Sequence, residues 1–186
     1  MNKPKTSVVF AALLLITLLA VSVCALHWVN AVSLRGVVKL ADYRLTDGKE
    51  ENLVAVVDDP YIQQEVLHIS GALMRINQPV GEANVRVGLI AQRLEKGMPA
   101  QDDEEAILLN TQMVRRYELA REYGCDDHCG FHAAMAAKQL IDGDVQYRVV
   151  LVDETDGAMR MVETGMTITL IEGGIAFARV NGPGEE

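Results

Sequence analysis

The sequence predicts an α+β protein: an N-terminal transmembrane helix, then a helical region of about four helices, then a small antiparallel β-meander. Three observations carry this prediction. The run from Thr6 to Leu26 holds no charged residue. Between Asp59 and Ile141, apolar residues recur at spacings of three and four. From Val145 onward, branched and aromatic residues fall in short runs broken by glycine-containing turns.

The N-terminal run comes first. At 1.5 Å per residue it is long enough to cross a hydrocarbon core of about 30 Å. Residues 1–6 are read as a cytoplasmic N-terminus and 7–28 as the anchor. Lys3 and Lys5 precede the run, and the positive-inside rule then leaves the remainder outside the cytoplasm. Trp28 suits the membrane interface. The expected place is therefore a single-pass inner-membrane protein with a periplasmic C-terminal domain. A cleaved signal peptide has a shorter apolar core, about 7–15 residues, although Ala25 and Ala31 are small enough for cleavage. Val23 before Cys24 argues against lipidation there.

Residues 29–58 read as a membrane-proximal connector. Val37–Leu45 and Leu53–Val57 flank Asp47-Gly48, a hairpin signal. The domain proper is expected over 59–182, with 183–186 as an acidic tail. Asp59-Pro60 fits an N-cap and first helical position. Ile62, Val66, Ile69, Leu73 and Ile76 form one apolar helix stripe, stopped by Asn77-Gln78-Pro79. A second helix fits Gly81–Lys96, with Ala83, Val87, Ile90 and Leu94 on one side and Gly97 as its cap. A third opens on Asp102–Glu105, where the helix dipole favours acid, and ends at Gly124. Its inward stripe is Ala106, Leu109, Met113, Tyr117 and Ala120. A fourth spans about Asp127–Ile141, with Asp126 and Asp127 as caps.

The strands follow. Val145–Val152, Ala158–Glu163, Met166–Ile171 and Ile175–Val180 are separated by Asp153–Gly157, Thr164-Gly165 and Glu172-Gly173-Gly174. Met166, Ile168 and Leu170 alternate with Thr167 and Thr169, so one sheet face is buried and the other wetter.

Composition narrows the function. Aromatic residues make up only 5%, and the net charge is −9. Without Lys3 and Lys5 the chain carries 15 basic against 26 acidic residues. Such a surface repels phosphate backbones, which excludes nucleic acid as a partner. A protein partner is expected.

The densest reactive cluster is Cys125-Asp-Asp-His128-Cys129-Gly-Phe-His132. Outside the cytoplasm two cysteines tend to pair, so a structural or redox disulfide between Cys125 and Cys129 is one reading. The second is copper or zinc held by Cys125, His128, Cys129 and His132, with Met135 in reach of a copper site. The third is a buried, inert Cys129. Cys125-x-x-x-Cys129-Gly followed by a His and a Met resembles the dinuclear-copper motif of cytochrome oxidase subunit II. In that family the His comes four residues after the second Cys, where this chain has His132 three after Cys129, and its copper domain is a β-sandwich preceding the motif. These departures set the resemblance aside. A Cys at a helix start followed by an antiparallel sheet is similar to the transglutaminase-like thiol-enzyme core. That resemblance implies a His on the later strands, and no His follows His132. It therefore implies a degenerate, catalytically silent relative at most.

His68 among apolar positions reads as a hydrogen-bonded packing residue. Asp102–Glu105 lacks calcium-loop spacing, and Gly173-Gly174 lacks the helix and lysine of a phosphate loop. Met159, Met161 and Met166 read as strand-face packing. With no complete catalytic constellation, the expected function is a non-enzymatic, membrane-anchored binding or assembly module of an envelope complex. Thiol-redox or metal handling by the Cys/His cluster is the alternative.

Overall fold

Alternation with a period of two, rather than 3.6, governs the chain from Gly36 onward. The computed structural model describes residues 6–32, 36–47, 52–76, 84–95, 98–141, 143–172 and 174–179. Helix α1 spans Thr6–Val32. The strands are β1 (Gly36–Lys39), β2 (Arg44–Thr46), β3 (Leu53–Val57), β4 (Tyr61–Gln63), β5 (Val66–Arg75), β6 (Val85–Glu95), β7 (Met98–Leu108) and β8 (Asn110–Val114). Helix α2 (Tyr117–Tyr123) precedes β9 (Gly130–Ala136), β10 (Val145–Asp153), β11 (Arg160–Ile171) and β12 (Gly174–Arg179).

The strands form two sheets. Sheet A runs β1-β7-β6-β10-β11-β12, with β2 added parallel to β11. Sheet B runs β3-β5-β9-β8, with β4 added to β5. The other pairings are antiparallel. The chain passes from sheet A to sheet B at Leu109, a fully buried corner whose N–H donates to the Val87 carbonyl at 2.9 Å.

The main core lies between the sheets. Leu67, Ile69 and Leu73 of β5 with Phe131, Ala133 and Met135 of β9 meet Val87, Leu89, Tyr147, Leu151 and Ile168 of sheet A. Each outer face has its own smaller cluster. Ile90, Ala106, Leu108, Val150, Val152 and Met161 lie beneath Val38, Leu40 and Tyr43. Ala72, Met74 and Cys129 lie beneath Leu119 and Tyr123 of α2. A buried ion pair ties the sheets together. Arg75 of β5 donates to both oxygens of Asp153 of β10, at 2.9 and 2.7 Å, and Arg160 adds a third bond at 2.9 Å.

This architecture corrects the α+β prediction. Among the described residues, the four helical stretches are strands and short turns apart from about two turns of α-helix. Strands covered on both faces read as nearly continuous apolar runs, from which a helical spacing can be picked out. In β5 the inward set is Leu67, Ile69 and Leu73, while Ala72 and Met74 are apolar because α2 covers them. In β6 Val85, Val87 and Leu89 face the core while Ile90 serves the outer cluster. Asp102–Glu105 lies on β7, not at a helix start. Asp127–Ile141 is a short 3-10 turn leading into β9. Of the third helix only α2 survives, capped by Gly124 in the left-handed region at φ 63°, its N–H donating to the Ala120 carbonyl. Residues 36–57 do not form their own hairpin: β1 pairs with β7, β2 with β11 and β3 with β5. The C-terminal strands β10, β11 and β12 do run as consecutive antiparallel neighbours. Thr164-Gly165 is part of β11, where the register shifts against β10, rather than a turn between strands.

The expected transmembrane anchor is corrected as well. Among the described residues, no helix is long and apolar enough to cross a membrane. The described side chains of α1 run from Phe10 to Ala25. Lys3 and Lys5 lie outside the described residues, as does the side chain of Trp28.

Candidate functional site

The outer face of sheet B carries the chemistry. Strand alternation places His68, Ser70, Ala72 and Met74 of β5 on this face, with Gly130, His132 and Ala134 of β9 beside them. The register sets Tyr61 opposite His68, and Ser70 and Gln112 on either side of His132. Towards β3 the face is apolar and covered by α2. Towards β4 it is polar and half-buried.

There a hydroxyl and two imidazoles form a chain. Ser70 Oγ lies 2.8 Å from His132 Nδ1, and His132 Nε2 lies 3.3 Å from His68 Nδ1. The two imidazole centroids are 5.3 Å apart with their planes inclined by 27°. The nitrogens are thus closer than the centroids by nearly the sum of two ring radii, so they sit on the line between the rings. That is the geometry of an in-plane N–H···N bond, not of a face-to-face stack. Tyr61 does stack on His68, with centroids 4.8 Å apart and planes within 14°. Burial, and then the neighbouring His132, hold the His68 pKa below its ordinary value, so its neutral form is favoured. A chain of this kind can pass a proton between a hydroxyl and an imidazole without moving a heavy atom.

The predicted Cys/His cluster is divided among three environments. Cys129 is buried against Ala72 and Met74, and Cys125 packs at the rim of the same cluster. Burial, followed by Cys125, with which it shares a hydrogen bond, pushes the Cys129 thiol up to about 11. Both cysteines are free thiols, which corrects the expected disulfide: the turn between them seats Cys129 in the apolar cluster as a small core residue. His128 is exposed. Its Nδ1 lies 2.8 Å from Asp127 Oδ1, and its Nε2 accepts from Arg115 Nε at 3.1 Å. Asp126 caps the 3-10 turn by accepting the His128 N–H at 2.8 Å, and this backbone bond is the first cause of its lowered pKa. Ligand-type atoms of Asp126, Asp127 and His128 do lie within 4.8 Å of one another, but capping and the Arg115 contact account for all three. His132 belongs to none of these and joins Ser70 and His68 instead. The structure therefore does not gather Cys125, His128, Cys129 and His132 as one copper or zinc centre.

Sequence reading missed Ser70 and Tyr61 and treated His68 as an isolated packing residue. The available signal was His68-Ile-Ser70, two polar residues spaced for one strand face. It is visible only once the segment is known to be a strand, and its partner lies 64 residues away.

A second feature is α1 itself. Phe10, Leu13, Leu14, Leu15, Ile16, Leu18, Leu19, Val21 and Val23 are all at least half exposed. The Thr17 and Ser22 hydroxyls donate back to the Leu13 and Leu18 carbonyls at 2.9 Å, so these two hydroxyls turn no donor outward. The helix approaches sheet B along β8 and β9.

Comparison with protein-family models, with curated proteins and with solved structures finds no match for this chain.

Proposed function

We propose that the chain is a binding or assembly module held on an apolar surface through α1, with the two-sheet domain as the part presented to a protein partner. The exposed apolar side chains of α1 carry this reading. Leaving one large aliphatic side chain in water rather than burying it forgoes about 1.5–3 kcal/mol. Summed over nine exposed apolar side chains, this is about 13–27 kcal/mol at full exposure, comparable with the whole stability of a typical domain, about 5–15 kcal/mol, which favours an apolar counterpart covering the helix. The net charge of −9 supports a protein partner over a nucleic acid.

Phase partition in a cloud-point detergent tests the reading. The full chain is expected in the detergent phase. A chain carrying Leu15→Lys and Leu19→Lys is expected in the aqueous phase with an unchanged β-sheet circular dichroism spectrum. A full chain found in the aqueous phase as a monomer would overturn the proposal.

A further inference from the structure

We propose that Ser70 is an activated nucleophile, with His132 as its general base and His68 as the positioning residue that fixes the His132 tautomer, and that carboxylic esters are its substrate class. This goes beyond the attachment reading and does not rest on it.

A hydroxyl is a weak nucleophile until a base within about 2.6–3.2 Å can take its proton and a third group holds that base in place. Ser70 Oγ and His132 Nδ1 meet the first condition at 2.8 Å, and His68 Nδ1 meets the second by facing His132 Nε2 in plane. With His68 accepting, His132 carries its proton on Nε2 and presents the Nδ1 lone pair to the Ser70 hydroxyl. The lowered His68 pKa favours the neutral ring that can accept, and the Tyr61 ring stacked on it restrains its rotation. All three side chains stand on paired strands β5 and β9, which position groups more rigidly than loops do. All three are also half-buried rather than sealed, so a small electrophile can reach them.

Ser70 Oγ forms a bond to the ester carbonyl carbon as its proton passes to His132 Nδ1, giving an imidazolium whose Nε2–H is held by His68. The ester C–O bond then breaks, and the leaving alkoxide takes that proton from His132. Water attacks the acyl-serine by the same route and returns Ser70 and the neutral histidine.

Two measurements on the full-length chain in mild detergent test this. The first is labelling by a fluorophosphonate, read by intact mass and peptide mapping, together with hydrolysis of p-nitrophenyl acetate. One adduct at Ser70 is expected, absent in Ser70→Ala. In His132→Gln the labelling rate should fall by about 100-fold or more, with the amide fingerprint confirming that the variant is folded. The second needs no variant: nitrogen-15 spectra of the histidine rings should show His132 protonated at Nε2 and bare at Nδ1. In His68→Phe the two His132 tautomers should mix, a change that loss of packing alone would not produce. No adduct at Ser70, a rate indifferent to His132→Gln, or a wild-type His132 protonated at Nδ1 would each overturn the assignment. An adduct without ester hydrolysis would overturn the substrate class.

Discussion

Cys129 and His132 lie three residues apart, yet one belongs to an apolar cluster and the other to a polar chain. The difference comes from the 3-10 turn at Asp127–Cys129, which delivers the thiol under α2 before strand alternation begins. A thiol raised to about 11 by burial is almost wholly protonated at pH 8, and the thiolate is the reactive form. Cys129 is therefore expected to resist a thiol reagent at pH 8 in the folded protein and to react promptly in denaturant. Equal rates in the two states would show that the thiol is not buried. The sign of the linkage also follows. With its folded pKa raised, Cys129 contributes stability that is complete below the ordinary thiol pKa and is lost as pH rises through about 11. At this scale the sequence was legible in part. The reading of Cys129 as a buried apolar residue needed only its neighbours. The joining of His132 to His68 depends on the β5–β9 register, which no local pattern encodes.

Elements were harder to read than residues, for reasons that Gly71 makes concrete. It lies on the inward face of β5, opposite Phe131, where the Phe131 ring fills the space a side chain would take. A Cβ there would sit 2.1 Å from the Val56 carbonyl oxygen and 2.7 Å from Phe131 Cζ. Backbone oxygen cannot move aside as a flexible side chain can. Gly71→Ala is thus expected to cost about 1–3 kcal/mol or more by overpacking. Gly124→Ala should cost about 1 kcal/mol from its left-handed φ of 63° alone, since nothing lies within 4 Å of its Cβ position. Urea unfolding of the two variants checks the contrast, and a harmless Gly71→Ala would refute the packing argument. Gly71 also hid the strand. It interrupts the inward alternation between Ile69 and Leu73, so the remaining apolar residues fit a spacing of three and four as well as a spacing of two. Past the irregularity at Thr164-Gly165, β11 has no such interruption, because Met166, Ile168 and Leu170 alternate cleanly with two threonines.

The two sheets act as one molecule partly through the charge group at Asp153. This carboxylate is fully buried. Burial pushes its pKa up, but the Thr155 hydrogen bonds and the Arg75 and Arg160 guanidinium groups outweigh that, and the net shift is downward. A depressed folded pKa means the folded state binds fewer protons than the unfolded chain. The stability from Asp153 is therefore present above the ordinary carboxylate pKa of about 3.9 and is lost as pH falls through the lower folded value. His68 has the same sign near neutrality, contributing above its ordinary value and less as pH falls below it. Removing only the carboxylate charge leaves guanidinium groups in a dry site between the sheets. Asp153→Asn should cost about 3–5 kcal/mol in urea unfolding at pH 7, the range for one broken half of a buried pair. Arg75→Met and Arg160→Met added to Asp153→Leu should recover much of that loss, because both guanidinium partners of the carboxylate then go with it and no charge is stranded. Wild type should also lose stability between pH 4 and pH 2 more steeply than Asp153→Asn, which has no carboxylate to protonate there. A cost below about 1 kcal/mol, within the range of an exposed pair, would mean that the apolar core alone joins the sheets.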